Sequence, residues 1–283
     1  MAMESRVARW GALAIGRSRP VRIMAIINAS PESFYGGSVA VGSDGVRAAA
    51  EQAAEQGADV LDIGAMSTAP YRQTLVSPAE EEDRMGEAVA AARSASGLPL
   101  SADTMRASVA RVALDAGASV INDVSGFEED PAMAALAAER GCGVVLMARE
   151  NAERPRDERQ PALLVAERLS QALARADKAG VERNRVVLDP GLGFFRNTAR
   201  PWEEFDLEIL RHLETLEVDG HPLLVSASRK SFLKPLLGRE KAEDRLAGSL
   251  AAAAWCALHG ASMLRTHDVA ATRDAVRLIE MLR

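Results

Sequence analysis

The sequence predicts an α/β protein, a (β/α)8 TIM barrel in a single domain spanning residues 1–283, with residues 1–20 as an N-terminal extension. Three observations predict it. Short apolar, β-branched runs alternate eight times with helix-length amphipathic stretches, and no block is all strand or all helix. The runs lack period-two alternation, as strands buried on both faces should. A chain of 283 residues with 48% hydrophobic content can bury one large core, and no linker divides it. A doubly wound open sheet is the competing arrangement, but the turn after the first strand, Asn28-Ala29-Ser30-Pro31, carries no G-x-G-x-x-G.

Taken in order, residues 22–28 form the first strand, stopped by Asn28 and a Ser-Pro turn. Asp44 is expected to cap a helix running to Gln56, with Gly57 as its stop. Residues 60–63 are the second strand, followed by a long polar loop over 64–76. Ser77-Pro78 then opens a helix to about Ser96 with Glu80, Glu81 and Glu82 in its first turn, where negative charge suits the helix dipole. The third unit pairs strand 100–103 with helix 106–116, and the fourth strand 120–123 with helix 131–140. The fifth joins strand 143–147 through a charged loop, 148–160, to helix 162–179. The sixth strand starts at Val186 and ends at Asp189, where Pro190, Gly191 and Gly193 force a loop, and its helix lies near 202–216. Strand 223–226 with helix 243–258, and strand 262–266 with helix 270–282, complete the eight units.

Charge and cysteine usage exclude several function classes. The net charge is −6, and the 34 basic residues form no run of the kind that binds nucleic acid or membranes. Only four of them are Lys, so Lys230 at a strand end is informative. Cys142 and Cys256 have no neighbours at metal-ligand spacing and read as buried thiols in a reducing compartment. Residues 10–15 are too short an apolar patch for an export signal or membrane span, which predicts a cytoplasmic protein.

In a barrel of this type the chemistry sits at the C-terminal ends of the strands. Those ends carry Asn28, Asp62, Asp103, Asn122 with Asp123, Met147, Asp189, Lys230, and Arg265 with His267. Each alone reads as a turn former or core residue, but together they form a ring. Carboxylates and an amide at a pocket floor can bind the donor and acceptor edge of a planar heterocycle, with Lys230 and Met147 or Phe194 over its faces. Arg265 and His267 would add positive charge for a phosphate or carboxylate. No Ser or Cys nucleophile stands beside a His at motif spacing, so the site reads as one of binding and electrostatics.

Seven motifs bring a resemblance into view: Ile-Ile-Asn-Ala-Ser-Pro-Glu-Ser-Phe (26–34), Gly-Ala-Asp-Val-Leu-Asp-Ile-Gly (57–64), Ser-Ala-Asp-Thr (101–104), Ile-Asn-Asp-Val-Ser-Gly (121–126), Leu-Asp-Pro-Gly-Leu-Gly-Phe (188–194), Ser-Arg-Lys-Ser-Phe (228–232) and Arg-Thr-His-Asp-Val (265–269). From about Ile23 to the C-terminus the chain resembles the dihydropteroate synthase family and, more broadly, the pterin-binding barrels. The resemblance implies a pterin pocket of Asp103, Asn122, Asp189 and Lys230, bordered by Ser228, with Met147 and Phe194 against the ring. It implies that Asn28 helps place a Mg²⁺ riding on the substrate diphosphate, that Arg265 and His267 hold that diphosphate, and that Thr68 lies on a substrate-binding loop. The implied reaction condenses 6-hydroxymethyl-7,8-dihydropterin diphosphate with the arylamine 4-aminobenzoate in folate biosynthesis, releasing diphosphate. Family members are commonly homodimers, which the resemblance carries over.

The departures lie away from the pterin residues. The family's first loop usually reads Thr-Pro-Asp-Ser-Phe-Ser-Asp-Gly-Gly; here residues 30–37 read Ser-Pro-Glu-Ser-Phe-Tyr-Gly-Gly, one residue shorter and without the second Asp. Ala69 stands where the family has a diphosphate-contacting Arg, Met147-Ala148 replaces Met-His, and Phe195-Arg196 replaces Gly-Lys. These changes leave a second reading: a paralogue that keeps the pterin pocket, such as a tetrahydropterin-dependent methyltransferase working with a partner protein, or an enzyme of a modified-pterin pathway.

Overall fold

The computed structural model describes residues 5–30, 40, 42–66, 76–150, 159–216 and 218–283. Strands β3 (Arg22–Asn28), β4 (Val60–Gly64), β5 (Leu100–Asp103), β6 (Val120–Asp123), β7 (Gly143–Met147), β8 (Val186–Asp189), β9 (Leu223–Val225) and β10 (Ala261–Thr266) close into one parallel barrel in chain order, with β10 beside β3. Helices α1 (Gly42–Glu55), α2 (Pro78–Ala95), α3 (Ala107–Asp115), α4 (Pro131–Arg140), α5 (Pro161–Ala179), α6 (Trp202–Arg211), α7 (Leu233–Leu237), α8 (Leu246–Leu258) and α9 (Val269–Leu282) connect them. The expected barrel is therefore present.

Local chemistry explains the boundaries. Ser77 accepts the Glu80 N–H at 3.2 Å and Pro78 occupies the first helical position, so α2 starts where a cap and a missing donor coincide. Asp130 caps α4 through the Ala132 N–H at 2.9 Å and also accepts the Ala107 N–H at 2.8 Å, tying α3 to α4. Asp44 is not the cap expected of it: α1 begins at Gly42, leaving Asp44 in the first turn, paired with Arg47 at 2.8 Å. The helix expected over 202–216 breaks after Arg211 into a 3-10 turn, Leu213–Leu216. Cys142 and Cys256 are buried thiols, with burial pushing them up to about 11 and about 12.

Sequence reasoning missed the hairpin of β1 (Ala8–Trp10) and β2 (Leu13–Ile15). The supposed extension closes the N-terminal end of the barrel: Ala8, Trp10 and Ile15 form an apolar cluster with Met24, Val60, Val120, Val145, Val187, Leu224 and Met263. Gly143 makes room for it, since a Cβ there would lie 2.4 Å from Trp10 Cδ1. The indole Nε1 donates to Arg185 O at 2.9 Å, so the buried ring leaves no donor unpaired.

Candidate active site

The barrel brings the predicted residues to one mouth. Parallel pairing aligns Asn28 with Gly64, Gly64 with Asp103, Asp103 with Asn122, and Met147 with Asp189. Side chains two residues apart on a strand share a face, so Asp62, Asn122 and Asp189 stand one step above the apolar Val60, Val120 and Val187.

At the centre is Arg265, on β10. Its Nε donates to Asp62 Oδ2 at 2.6 Å and its Nη2 to Asp103 Oδ2 at 2.7 Å; Asn122 Nδ2 donates to the same Asp62 oxygen at 3.0 Å. The other oxygens, Asp62 Oδ1 and Asp103 Oδ1, are buried with no partner among the described residues. Buried acceptors without donors are costly, and here they mark acceptor capacity held open at the pocket floor. Burial pushes the Asp103 carboxyl up to about 7, against the pull of Arg265 and with the help of Asp62. Asp62 heads no role in the sequence reading beyond its strand end, yet it joins Asn122 to Arg265.

Asp189 sits opposite Lys230. Its Oδ1 accepts the Gly191 N–H at 2.8 Å, and burial raises its carboxyl, opposed by Lys230 and that N–H. Gly191 must be glycine: φ is +75°, and a Cβ would lie 1.9 Å from Ala148 O. Burial lowers the Lys230 ammonium to about 8; its Nζ donates to Leu192 O and lies 4.8 Å over the Phe194 ring. Met147 is buried at the end of β7, its Cγ 3.4 Å from where a Gly191 Cβ would be.

His267 departs from expectation. Burial, with the nearby charges of Arg265, Arg229 and Lys230, lowers it to about 3, so the ring is neutral and adds no positive charge. Ser228 Oγ accepts the His267 backbone N–H at 3.1 Å and meets the ring Nδ1 at 2.9 Å, which favours the tautomer with the proton on Nε2. Arg229, between Ser228 and Lys230, is structural: it has φ +54°, binds Asp268 through two N–H groups at 2.9 and 2.7 Å, and donates to the Ala242 and Glu243 carbonyls. Asn28 ends β3, with its Oδ1 3.8 Å from the position of a Gly64 Cβ. Thr68 and Ala69 lie outside the described residues.

Asp206 of α6 went unnoticed in the sequence. It is fully buried, accepts the Gly193 N–H at 2.8 Å through Oδ1, and its Oδ2 has no partner among the described residues. The available signal was a carboxylate on the apolar stripe formed by Phe205, Ile209 and Leu210.

The family described as pterin binding enzyme matches residues 24–267. The chain is 36% identical over 287 residues to the dihydropteroate synthase of Neisseria meningitidis serogroup B, covering 99% of each chain. It is 39% identical over 271 residues to a Mycobacterium leprae protein named inactive dihydropteroate synthase 2, covering 92% of this chain and 89% of that one. The solved structure of Xanthomonas albilineans dihydropteroate synthase with 4-aminobenzoic acid superposes with a TM-score of 0.86 at 34% identity, covering 99% of this chain and 98% of that one.

Proposed function

Because the chain belongs to the dihydropteroate synthase family of pterin-binding enzymes, we propose that it is a transferase that condenses 6-hydroxymethyl-7,8-dihydropterin diphosphate with 4-aminobenzoate and releases diphosphate. The observation that carries the reading is the floor of the barrel mouth: two buried carboxylate oxygens without donors among the described residues, on Asp62 and Asp103, beside an amide, a third acid and a Lys over an aromatic ring. That floor matches a flat bicycle rich in N–H donors. Asp103, Asn122 and Asp189 bind the pterin edge, while Lys230, Phe194 and Met147 border its faces and Ser228 fixes the rim. Donors on the pterin edge would meet the open oxygens of Asp62 and Asp103 and offset the desolvation cost of these buried acceptors.

The reacting carbon bears diphosphate, and the protein's task is to stabilise charge separation as the C–O bond breaks. Arg265 supplies the fixed positive charge there. His267 acts as a neutral Nε2–H donor to the leaving group. Thr68, outside the described residues, keeps the substrate-binding role that the resemblance implies. For Mg²⁺ the resemblance points to Asn28, at the mouth end of β3 with its side-chain oxygen beside Gly64, and Mg²⁺ readily completes its shell with substrate phosphates and water. When bound, the ion would neutralise charge on the departing diphosphate.

Two further readings accompany this one. The first is the cytoplasmic placement expected from the sequence; no helix among the described residues is long and apolar enough to cross a membrane. Homodimer formation is supported by exposed apolar side chains gathered on α7 to α9: Leu236, Leu237, Trp255, Leu258, Leu278 and Met281.

A relative named inactive matches as well as one named synthase, so turnover must be measured. The test is incubation with the pterin diphosphate, Mg²⁺ and 4-aminobenzoate, following diphosphate release with and without the amine. Amine-dependent release with formation of dihydropteroate is expected. Pterin binding without amine-dependent product would sink the synthase reading and favour a paralogue acting on a methylated or modified pterin.

A further inference from the structure

Beyond Asp189 the rim carries Phe195 and Arg196, two of the residues at which this chain leaves the family pattern, and both are firmly engaged. Phe195 is fully buried and stacks on Phe205 of α6, with ring centroids 4.7 Å apart and planes inclined by 20°. Arg196 lays its guanidinium 3.9 Å over the Trp202 ring, donates from Nε to Gly193 O at 2.9 Å, and donates from Nη2 to Ser231 Oγ at 2.8 Å. From the other side Asp206 takes the Gly193 N–H at 2.8 Å. Both backbone polar groups of Gly193 are thus held by charged side chains, which gives shorter and stronger bonds than neutral partners do.

Gly193 is the pivot of the pocket wall. A Cβ on it would lie 3.4 Å from Lys230 Cδ, its predecessor Leu192 accepts the Lys230 ammonium, and its successor Phe194 lies under that ammonium. Arg196 also grips Ser231, the residue after Lys230. Arg196 therefore fixes this wall at two points and Asp206 at a third.

We propose that Arg196 and Asp206 are positioning residues for the pterin pocket, bracing the Gly193 peptide from both sides so that Leu192, Phe194 and Lys230 keep the geometry that receives the ring. The assignment rests on the pterin-binding reading. Neither residue is a ligand contact; each acts through Gly193, with Trp202 and Phe205 making α6 the backing. The second Asp206 oxygen is buried without a partner among the described residues, a cost that a residue serving only to fill α6 would not need to carry. Replacement of the family's Gly-Lys by Phe195-Arg196 is on this account a rebuilt support.

The experiment measures hydroxymethylpterin binding by calorimetry for the full chain and for Arg196→Met, Asp206→Leu and Asp206→Asn, with thermal unfolding alongside. Arg196→Met and Asp206→Leu should each weaken binding about tenfold or more, because each strands a backbone group. Asp206→Asn keeps an acceptor for the Gly193 N–H and should stay within about threefold of the parent. Unchanged affinity in both Arg196→Met and Asp206→Leu overturns the brace. A second readout needs no ligand: with four lysines in the chain, ¹³C-lysine NMR can follow Lys230 alone. Its signal should move in Arg196→Met and Asp206→Leu, and its titration midpoint, about 8 in the parent, should fall in Asp206→Asn as a nearby negative charge is lost. If the parent binds no hydroxymethylpterin, the functional reading fails while Lys230 still decides the brace: a signal displaced in Asp206→Leu beyond its place in Asp206→Asn, which loses the same charge but keeps the acceptor, upholds it, and the same position in both variants overturns it.

Discussion

The two ends of the barrel are made by the same strands and differ by one step of the pleat. Along β4, β6 and β8 the inward residues run Val60 then Asp62, Val120 then Asn122, and Val187 then Asp189; along β10, Met263 is followed by Arg265. Below the step the inward Met24, Val60, Val120, Val145, Val187, Leu224 and Met263 are apolar and covered by Trp10 and its hairpin, with Ser101 of β5 the polar member of that level. Above it lie two open carboxylate oxygens, an acid raised to about 7 and a lysine lowered to about 8. The lower layer gains from burial what the upper layer forfeits by holding charges out of water. A barrel can thus concentrate stability at one end and electrostatic tension at the other within a few ångströms.

Substitutions at the two ends should separate these roles. Lys230→Ala is expected to have the largest effect: hydroxymethylpterin affinity falls by about a hundredfold or more, since each buried polar group of the ligand and pocket left unpaired costs about 1–3 kcal/mol. Melting temperature should hardly drop, because the lysine is already a desolvated, destabilised charge. Calorimetry and a thermal melt on the same sample check both halves; retained micromolar affinity would refute the pocket. Trp10→Ala should do the reverse, costing about 3–5 kcal/mol in denaturant unfolding through the cavity left against Gly143. Pterin affinity measured on the folded variant should match the parent. A parallel loss of affinity would mean that the floor and the mouth are coupled.

This division also explains what the sequence disclosed. Apolar runs ending in Asn or Asp announced both the strands and the rim, because burial on both faces and a polar terminus are local properties. Asp103, Asn122 and Asp189 were placed at the rim that way, and Lys230 by being one of four lysines in the chain. The hairpin was not, since Ala8–Trp10 and Leu13–Ile15 are each three residues long, too short to show a period, and their value lies in a barrel end assembled from distant strands. Asp206 was hidden for a related reason: its partner, Gly193, is thirteen residues away in a loop whose path the fold decides. The charge of His267 was misjudged because a residue type carries no record of its burial, and only the barrel sets Arg265, Arg229 and Lys230 around it.

The smallest expected effect concerns pH and isolates one group of the upper layer. The folded-state pKa of Asp103, about 7, lies above the ordinary aspartate value of 3.8, so the native state holds that proton more tightly than the unfolded chain does. Its contribution to stability is therefore fully present below about pH 4 and is lost as pH rises toward 7. His267, lowered to about 3, has the opposite sign: its contribution is present above 6.5 and is lost as pH falls toward 3, so the parent alone would show a blurred sum. Asp103→Asn removes the first term and leaves the second. The difference in melting temperature, variant minus parent, should thus climb steadily between pH 4 and 7 and flatten above it. A difference that stays level across that window would mean Asp103 is ionised throughout, with Arg265 outweighing burial. In that case the mouth would be a settled ion pair, and the contrast with the apolar floor would be one of polarity without tension.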